Sequence, residues 1–375
     1  MKCKNYHLES YYFIKYNQFT NLNHINKYAQ TNAIICFDFE DSIKNSQEKI
    51  LHRNYFKVIL NEIIPKANSI KIGVRLNADN NELQKDIETL KNQKIYSILI
   101  PKVENSEQIR AIEKKLIHNN IDFEELIPII ESSDGLKNLS KLIRDAPKRV
   151  KKIGFGHCDY NLSIKSLPFF HQNTTQYWKW IKEFSKILKA KDISFINSAY
   201  LDLANLDFFK SMLENLQGIF GANCSQFCLT SKQSLLVKNF SKLEPHQNFE
   251  LLLNNCYDLT LSSNFIEGII SEFEQDSFNR NFAISKQTNS LISPQEYKMA
   301  KYMVSKKSLK NIYFTFVGGC FPLQHNILFE DLFHQKLKRK IEINFNRTFD
   351  INIIRYERFL TCLEKIKDYN NKSPI

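Results

Sequence analysis

Two carboxylates stand directly behind short apolar runs. Glu131 follows Pro128-Ile129-Ile130, and Asp159 closes Gly154-Phe155-Gly156-His157-Cys158-Asp159, 28 positions further on. Short apolar runs bounded by Pro or Gly read as buried strands. A carboxylate at the exit of a buried strand is costly unless a cation or a hydrogen-bond donor meets it. Two of them from neighbouring strand ends would form a hard-oxygen site of the kind Mg²⁺ accepts. The competing reading is a pair of helix N-caps in strand-to-helix loops, where Asp is common.

The elements that must position these groups alternate. Apolar runs at 11–15, 33–37, 71–76, 96–100, 126–130, 150–155, 193–195 and within 219–229 read as strands. Amphipathic stretches at 46–60, 82–90, 106–118, 134–145, 178–188 and 206–215 read as helices between them. Strands alternating with helices, with polar groups gathered at the strand exits, predict an α/β chain folded as a (β/α)8 TIM barrel over residues 1–233. An open doubly wound sheet is the alternative, but no Gly-rich phosphate loop follows the first strands.

Residues 234–375 read as a mainly helical C-terminal extension, a lid or an oligomerisation element. Helices are expected at 249–261, 264–273, 328–341 and 351–366. Ser293-Pro294-Gln295-Glu296 has the composition of a helix start: Ser as cap, Pro first and Glu third. Gly318-Gly319, flanked by Phe314, Phe316 and Phe321, suits a turn laid over a barrel mouth. His325, Glu330, Asp331 and His334 invite a metal reading, but only Glu330 and His334 stand four apart, and a solvated helix is the better account.

Composition excludes several classes. The 375 residues are 43% hydrophobic, enough for a large core. No run approaches the roughly 18 to 20 apolar residues of a membrane helix. The first residues, Met1 to Asn5, lead into polar and aromatic positions rather than an apolar signal core, so a cytoplasmic protein is expected. The net charge of +12 is spread widely, and no nucleic-acid motif accompanies it. Eight cysteines are scattered without zinc-finger spacing. The expected partner is a small carboxylate, with neither nucleic acid nor membrane, in a homo-oligomer.

Five segments carry a resemblance. Asp38-Phe39-Glu40-Asp41-Ser42, followed by Lys49 and Arg53, is similar to the Asp-Leu-Glu-Asp segment and basic helix of the citrate lyase beta subunit. Val74-Arg75-Leu76-Asn77 is similar to its Val-Arg-Ile-Asn strand end, and Leu99 to Glu104 to its Leu-Pro-Lys-Val-Glu. Pro128 to Gly135 matches an apolar strand followed by Glu, three residues and Gly. Phe155 to Asp159 matches Phe-Gly-x-x-Asp. Together they resemble the HpcH/HpaI aldolase and citrate lyase beta-like superfamily of TIM barrels.

The resemblance implies Mg²⁺, or Mn²⁺ in its place, on Glu131 and Asp159. It also implies an enolate produced by carbon–carbon cleavage of a small carboxylate. Arg75 is then expected to clamp a carboxylate in two-donor fashion, with Lys102 and Asn77 beside the substrate; a barrel-mouth ion pair with Glu40 or Asp41 is the competing reading of Arg75. Glu40 and Asp41 would orient Arg75 or a metal-bound water. Asp202, Asp207 and His157 are further candidates for acid–base work, and a structural histidine is as good a reading of His157.

Two family elements differ. Gly218-Ile219-Phe220-Gly221-Ala222 lacks the Lys of Gly-x-x-Gly-Lys, and Leu229-Thr230-Ser231-Lys232-Gln233 replaces Ile-His-Pro-x-Gln. A coenzyme A thioester therefore stays open as substrate. The function expected is an Mg²⁺-dependent carbon–carbon lyase or aldolase. The alternatives are a barrel without catalysis, serving binding or assembly, and a thioester hydrolase on the same metal site.

Overall fold

The computed structural model describes residues 8–14, 28–40, 46–63, 70–167, 169–240, 249–253, 263–276, 282–286, 290–305, 312–313 and 328–329. Eight parallel strands pair in chain order and close on themselves: β1 (Glu9–Ile14), β2 (Ile34–Asp38), β3 (Ile72–Arg75), β4 (Lys94–Ile100), β5 (Asp122–Ile130), β6 (Lys152–Phe155), β7 (Ser194–Asn197) and β8 (Cys224–Cys228). The ring closes where Glu9 to Tyr12 of β1 pair with Ser225 to Cys228 of β8. Strands β2 and β8 are buried along their whole length, as a barrel wall with helices outside requires.

The expected TIM barrel is therefore the fold, with shifts at single elements. Strand β5 starts four residues before the expected 126, at Asp122. The last strand lies within 219–229 as expected, at Cys224–Cys228, while Ile219 and Phe220 end the helix before it.

The helices are α1 (Ser46–Val58), α2 (Asn80–Leu90), α3 (Ser106–His118), α4 (Ser133–Asp145), α5 (His157–Ser163), α6 (Thr175–Lys189), α7 (Leu206–Phe220) and α8 (Ser231–Lys238). Most begin at a polar cap just past a strand exit. Asp79 accepts from Asn81 and Glu82, Ser132 from Gly135, and Thr230 from Gln233, while Asn105 and Gln108 form a reciprocal capping box. Each cap satisfies helix N–H groups that would otherwise be orphaned. It also leaves the residues between strand and helix to turn inward at the barrel mouth.

The chain divides into two compact units: residues 1–156 with 181–247, and residues 157–180 with 248–375. The first contains all eight strands. Its interior is layered. Tyr11, Ile34, Cys36, Leu99, Ile127, Ile129, Ile196 and Phe227 form an apolar middle layer. Phe227 fits because Gly154 faces it: a Cβ on Gly154 would stand 3.0 Å from the ring.

Below that layer, at the strand starts, lies a polar plug. Lys152 Nζ donates to Glu125 Oε1 at 2.6 Å, to Tyr11 Oη at 2.8 Å and to Glu9 Oε2 at 2.5 Å. Ser97 and Tyr11 hydroxyls donate to Glu125 Oε2 at 2.6 and 2.8 Å. Strands β1 and β5 lie on opposite sides of the ring, so these bonds cross its interior. Burial, with Glu125 beside it, pushes the Tyr11 hydroxyl far above its ordinary range. Burial pulls the Lys152 ammonium down, but Glu125 and Glu9 more than reverse this, so it stays charged.

The second unit is built on an aromatic cluster. Tyr160 and Phe170 pack on Trp180, and the Trp178 ring meets Phe249 edge-on at 4.9 Å. Asn161 ties the segment together, donating to the His157 carbonyl and accepting from the Phe170 N–H, each at 2.8 Å. The remaining elements are α9 (Phe249–Leu252), α10 (Ser263–Asp276), a β9 (Ala283–Ile284)/β10 (Leu291–Ile292) hairpin, α11 (Pro294–Ser305), and a β11 (Ile312–Tyr313)/β12 (Leu328–Phe329) pair.

Helix α11 starts as expected, with Ser293 Oγ accepting the Glu296 N–H at 3.1 Å. Leu328 and Phe329 pair as a strand with Ile312 and Tyr313, which overturns the helix expected to start there. The Gly318-Gly319 turn, the 330–334 cluster and the helix expected at 351–366 lie outside the described residues. Among the described residues, no helix is long and apolar enough to cross a membrane.

Candidate active site

The pairing of β2 with β3 sets Asp38 opposite Arg75, so opposite charges end two adjacent strands. Arg75 Nε and Nη2 donate to Asp38 Oδ1 and Oδ2 at 2.7 and 2.6 Å, a two-donor fork. Its Nη1 lies 3.3 Å from Glu40 Oε2. Lys102 Nζ donates to Glu40 Oε1 at 2.9 Å, and the Lys102 backbone N–H donates to Glu131 Oε2 at 2.8 Å. Asp38, Arg75, Glu40, Lys102 and Glu131 thus form a continuous polar chain. It runs over the exits of β2, β3, β4 and β5, the end of a TIM barrel where active sites sit.

Burial makes this chain informative. Asp38, Glu40 and Glu131 are only 5%, 6% and 4% exposed. Carboxylates so deep persist only with cations or donors around them. The Arg75 guanidinium also lies 5.3 Å from the centre of the Phe13 ring, which adds a cation–π contact from below. The two-donor edge of Arg75, expected to meet a substrate carboxylate, instead holds Asp38. The physical reason is register: the strands themselves bring a buried carboxylate to it.

Lys102 has φ of 53°, left-handed backbone that costs a non-glycine residue on the order of 1 kcal/mol. That turn, directly after β4, aims its N–H at Glu131 and its side chain back at Glu40.

Glu131 is also fixed from the far side. Gly156 donates its N–H to the Ile130 carbonyl at 3.0 Å. A Cβ on Gly156 would stand 2.2 Å from Glu131 Oε1. Only glycine lets the carboxylate occupy this place.

Asn77 sits elsewhere than expected. It is 3% exposed, and its backbone and amide N–H groups donate to Asp86 Oδ2 at 2.7 and 2.9 Å. Lys49 bonds its Oδ1, and Arg53 Nη2 holds Asp86 Oδ1 at 2.6 Å. Asn77 therefore joins β3 to α1 and α2 in an internal network, together with the Lys49 and Arg53 of the basic helix. Burial pushes the Asp86 carboxyl up to about 6, against the opposing pull of Arg53 and Asn77. Asp41 lies outside the described residues.

Asp159 belongs to the second unit. It stands in the first turn of α5, a short helix in a stretch to which the sequence assigns no element. Gln295 Nε2 donates to Asp159 Oδ2 at 2.6 Å. His157 Nε2 and His171 Nδ1 share a hydrogen bond of 2.9 Å, and His171 Nε2 lies 3.8 Å from Glu296 Oε1. Burial, with His171 adjacent, pushes His157 well below its ordinary range and keeps it neutral.

The altered family elements have structural work. Thr230 caps α8, and Gln233 accepts the Leu229 N–H at 2.9 Å while donating to the Tyr200 carbonyl at 3.1 Å. Asp202 accepts the N–H groups of Ala204 and Asn205 in a turn, and Asp207 lies in the first turn of α7.

Asp38, bonded to Arg75, and Gln295, bonded to Asp159, are partners of candidate residues that sequence reading passes over. A signal for Asp38 existed, since a charge of the other sign ends the next strand. For Gln295 there was none, because its partner lies 136 positions away.

Among the described residues, no three His, Cys, Asp or Glu side chains gather into a cage for a cation. Mg²⁺ does not ask for one: it is commonly held by one or two carboxylates, water and substrate oxygens. Glu131, a buried carboxylate with fixed oxygens, and Asp159, with an oriented one, have the donor chemistry that fits this ion.

Comparison with known proteins agrees with the fold. Haloferax volcanii malate synthase, in a pyruvate/acetyl-CoA ternary complex, superposes with a TM-score of 0.59 at 13% identity, covering 80% of this chain and 91% of that one. The Mycobacterium tuberculosis CitE protein, in complex with magnesium, acetoacetate and coenzyme A, gives a TM-score of 0.50 at 12% identity, covering 80% and 97%. A citrate lyase beta subunit from the same organism, complexed with oxaloacetate and magnesium, gives 0.49 at 14%, covering 62% and 96%. A search of curated proteins finds no significant match. The HpcH/HpaI aldolase/citrate lyase family matches residues 19–219, more than half of the 375. With its barrel closed and four of the five resembling segments meeting at one mouth, the chain belongs to the HpcH/HpaI aldolase/citrate lyase family.

Proposed function

We propose that this protein is an Mg²⁺-dependent carbon–carbon lyase or aldolase acting on a small carboxylate. The observation that carries the reading is the chain Asp38–Arg75–Glu40–Lys102–Glu131 at the C-terminal ends of four strands, with its three carboxylates buried. Family membership supports the reaction class. One similar protein bound to pyruvate and acetyl-CoA, and another bound to magnesium, acetoacetate and coenzyme A, indicate where to look for substrates.

Glu131 and Asp159 are the residues that would hold the metal, Glu131 fixed by Lys102 and Gly156 and Asp159 by Gln295. A bound Mg²⁺ would act as a Lewis acid toward carboxylate and enolate oxygens. The chain's own groups prepare the rest. Asp38 and Glu40 hold the Arg75 guanidinium in one orientation, so that its positive charge stands fixed at the mouth where a substrate carboxylate would bind. Lys102 adds a second positive charge, tethered by Glu40. Cleavage breaks one carbon–carbon bond of the substrate: the hydroxyl on one carbon loses its proton and becomes a carbonyl, and the bond's electron pair stays on the other fragment as an enolate, which then takes up a proton. Positive charge already in place stabilises that developing oxyanion without reorganisation.

A second reading, a barrel that binds without turnover, is favoured by one observation: the Arg75 fork already has a carboxylate, Asp38. One experiment separates the two. Mg²⁺-dependent turnover is measured across 2-keto acids, aldehydes and acyl-coenzyme A esters for the wild type, Glu131→Gln and Asp159→Asn. Turnover in the wild type, lost in both variants with unchanged melting, supports the lyase. Substrate binding without turnover supports the second reading, and unchanged Mg²⁺ affinity in both variants sinks the site assignment.

A further inference from the structure

We infer that Gln295, at the second position of α11, is the positioning residue that fixes the Asp159 carboxylate for the metal. The inference rests on the reading of Asp159 as a metal ligand and adds to it a role for a segment beyond the family match, which ends at residue 219.

Four observations carry it, all within the second unit. Gln295 is 3% exposed, so its amide has been withdrawn from water and needs partners inside. Its Nε2 donates to Asp159 Oδ2 at 2.6 Å. The side chain is held at a fixed point of the helix, because Ser293 caps α11 and Pro294 sets its first turn. The next residue, Glu296, reaches His171 at 3.8 Å, so consecutive positions of α11 grip both ends of the segment from Asp159 to His171.

A carboxylate on a short helix has two torsions to settle, and an oxygen free to rotate must give up that freedom when it binds a cation. A neutral amide donor is suited to prevent this. It orients one oxygen and leaves the negative charge undiminished, whereas Lys or Arg in its place would compete with the metal. Outer partners of metal-binding side chains are typically worth 10- to 100-fold in affinity.

The test is Mg²⁺ titration of the full chain by calorimetry, with no substrate present. It compares the wild type with Asp159→Asn, Gln295→Met and Tyr297→Phe, beside melting curves in chelator. Met keeps the length of Gln and removes the donor. Tyr297→Phe removes the 2.7 Å bond from α11 to Glu274, a perturbation of the same helix that does not touch Asp159. Should Gln295→Met fail to fold, Gln295→Ala is the second variant.

The expected result is loss of binding in Asp159→Asn, affinity lowered about 10- to 100-fold in the Gln295 variant, and wild-type affinity in Tyr297→Phe. Loss in Asp159→Asn with wild-type affinity in the Gln295 variant overturns this inference and leaves the proposed function standing. Equal weakening in Tyr297→Phe also overturns it, since the effect would belong to the helix as a whole. Wild-type affinity in Asp159→Asn, or a wild type that takes up no Mg²⁺, overturns both readings.

Discussion

At the scale of single residues, Arg75 decides most. Its guanidinium meets Asp38 through a planar fork, touches Glu40 with the third nitrogen and rests on Phe13. Lysine carries the same charge as a point and cannot reproduce this set. Arg75→Lys is therefore expected to lower turnover about 100-fold, because the mouth loses its fixed geometry rather than its charge. Near-normal turnover in steady-state assays would show that the arginine serves only to neutralise Asp38. Of these residues, Arg75, Glu40, Lys102 and Glu131 stand out in the sequence because each lies at or just past the end of an apolar run. Asp38 was not read as a partner, although Asp38-Phe39-Glu40 contains it, because strand register is invisible until the strands are paired. Asn77 was misread for the opposite reason. A polar residue just past a strand end resembles a site residue until its neighbours, here Asp86 and Lys49, are known.

At the scale of elements, the close passage of the β6 exit beside Glu131 is a point where geometry has no slack. Gly156→Ala would drive a methyl group against Glu131 Oε1, with 2.2 Å available, and the flanking backbone is pinned by its bond to Ile130. The expected outcome is Mg²⁺ affinity lowered about 10- to 100-fold, read by calorimetry. Unchanged affinity would mean that the carboxylate has another productive position. Helix α1 provides a pH-dependent element. His52 is fully buried, edge-on to Phe39 at 5.1 Å, and burial pushes its pKa down to about 3. The unfolded chain takes up a proton on this residue below about 6.5, and the folded chain does not until about 3. Stability is therefore lost as pH falls through that window, by about 1.4 kcal/mol per pH unit. His52→Phe keeps the ring contact and removes the titration. Relative to wild type it should gain about 2 kcal/mol in urea unfolding between pH 7 and pH 5. An identical pH slope in both proteins would contradict this. Elements were the best-read level of the sequence, since each of the eight strands overlaps a stretch read as a strand, although β8, Cys-Ser-Gln-Phe-Cys, is no apolar run. The early half of β5 escaped because Asp122-Phe123-Glu124-Glu125 is acidic, and Glu125 belongs to the polar plug rather than the apolar layer. Helix α5 escaped because seven residues are too few to show a helical period.

At the scale of the whole molecule, the polar plug across the strand starts binds opposite walls of the barrel. Lys152→Met would leave Glu125 and Glu9 without their shared cation, and breaking such a partly buried pair costs about 3 kcal/mol. Urea unfolding should report that loss while turnover at the far mouth stays unchanged. A variant as stable as the wild type would mean that water or Lys71 takes over the role. The plug and the pairing of β1 with β8 have a consequence for how the chain reaches this state. Strand β1 is made first, yet its partners Glu125, Lys152 and β8 arrive later, the last at Cys224–Cys228. At about 5 to 20 residues per second, roughly 210 residues of synthesis take on the order of 10 to 40 seconds. Through that interval a strand rich in Tyr, Phe and Ile has one edge without its neighbour on the nascent chain. The apolar Tyr11-Tyr12-Phe13-Ile14 stretch is thus the part of this protein that most needs shielding as it leaves the ribosome, and the point at which crowded translation would turn folding into aggregation.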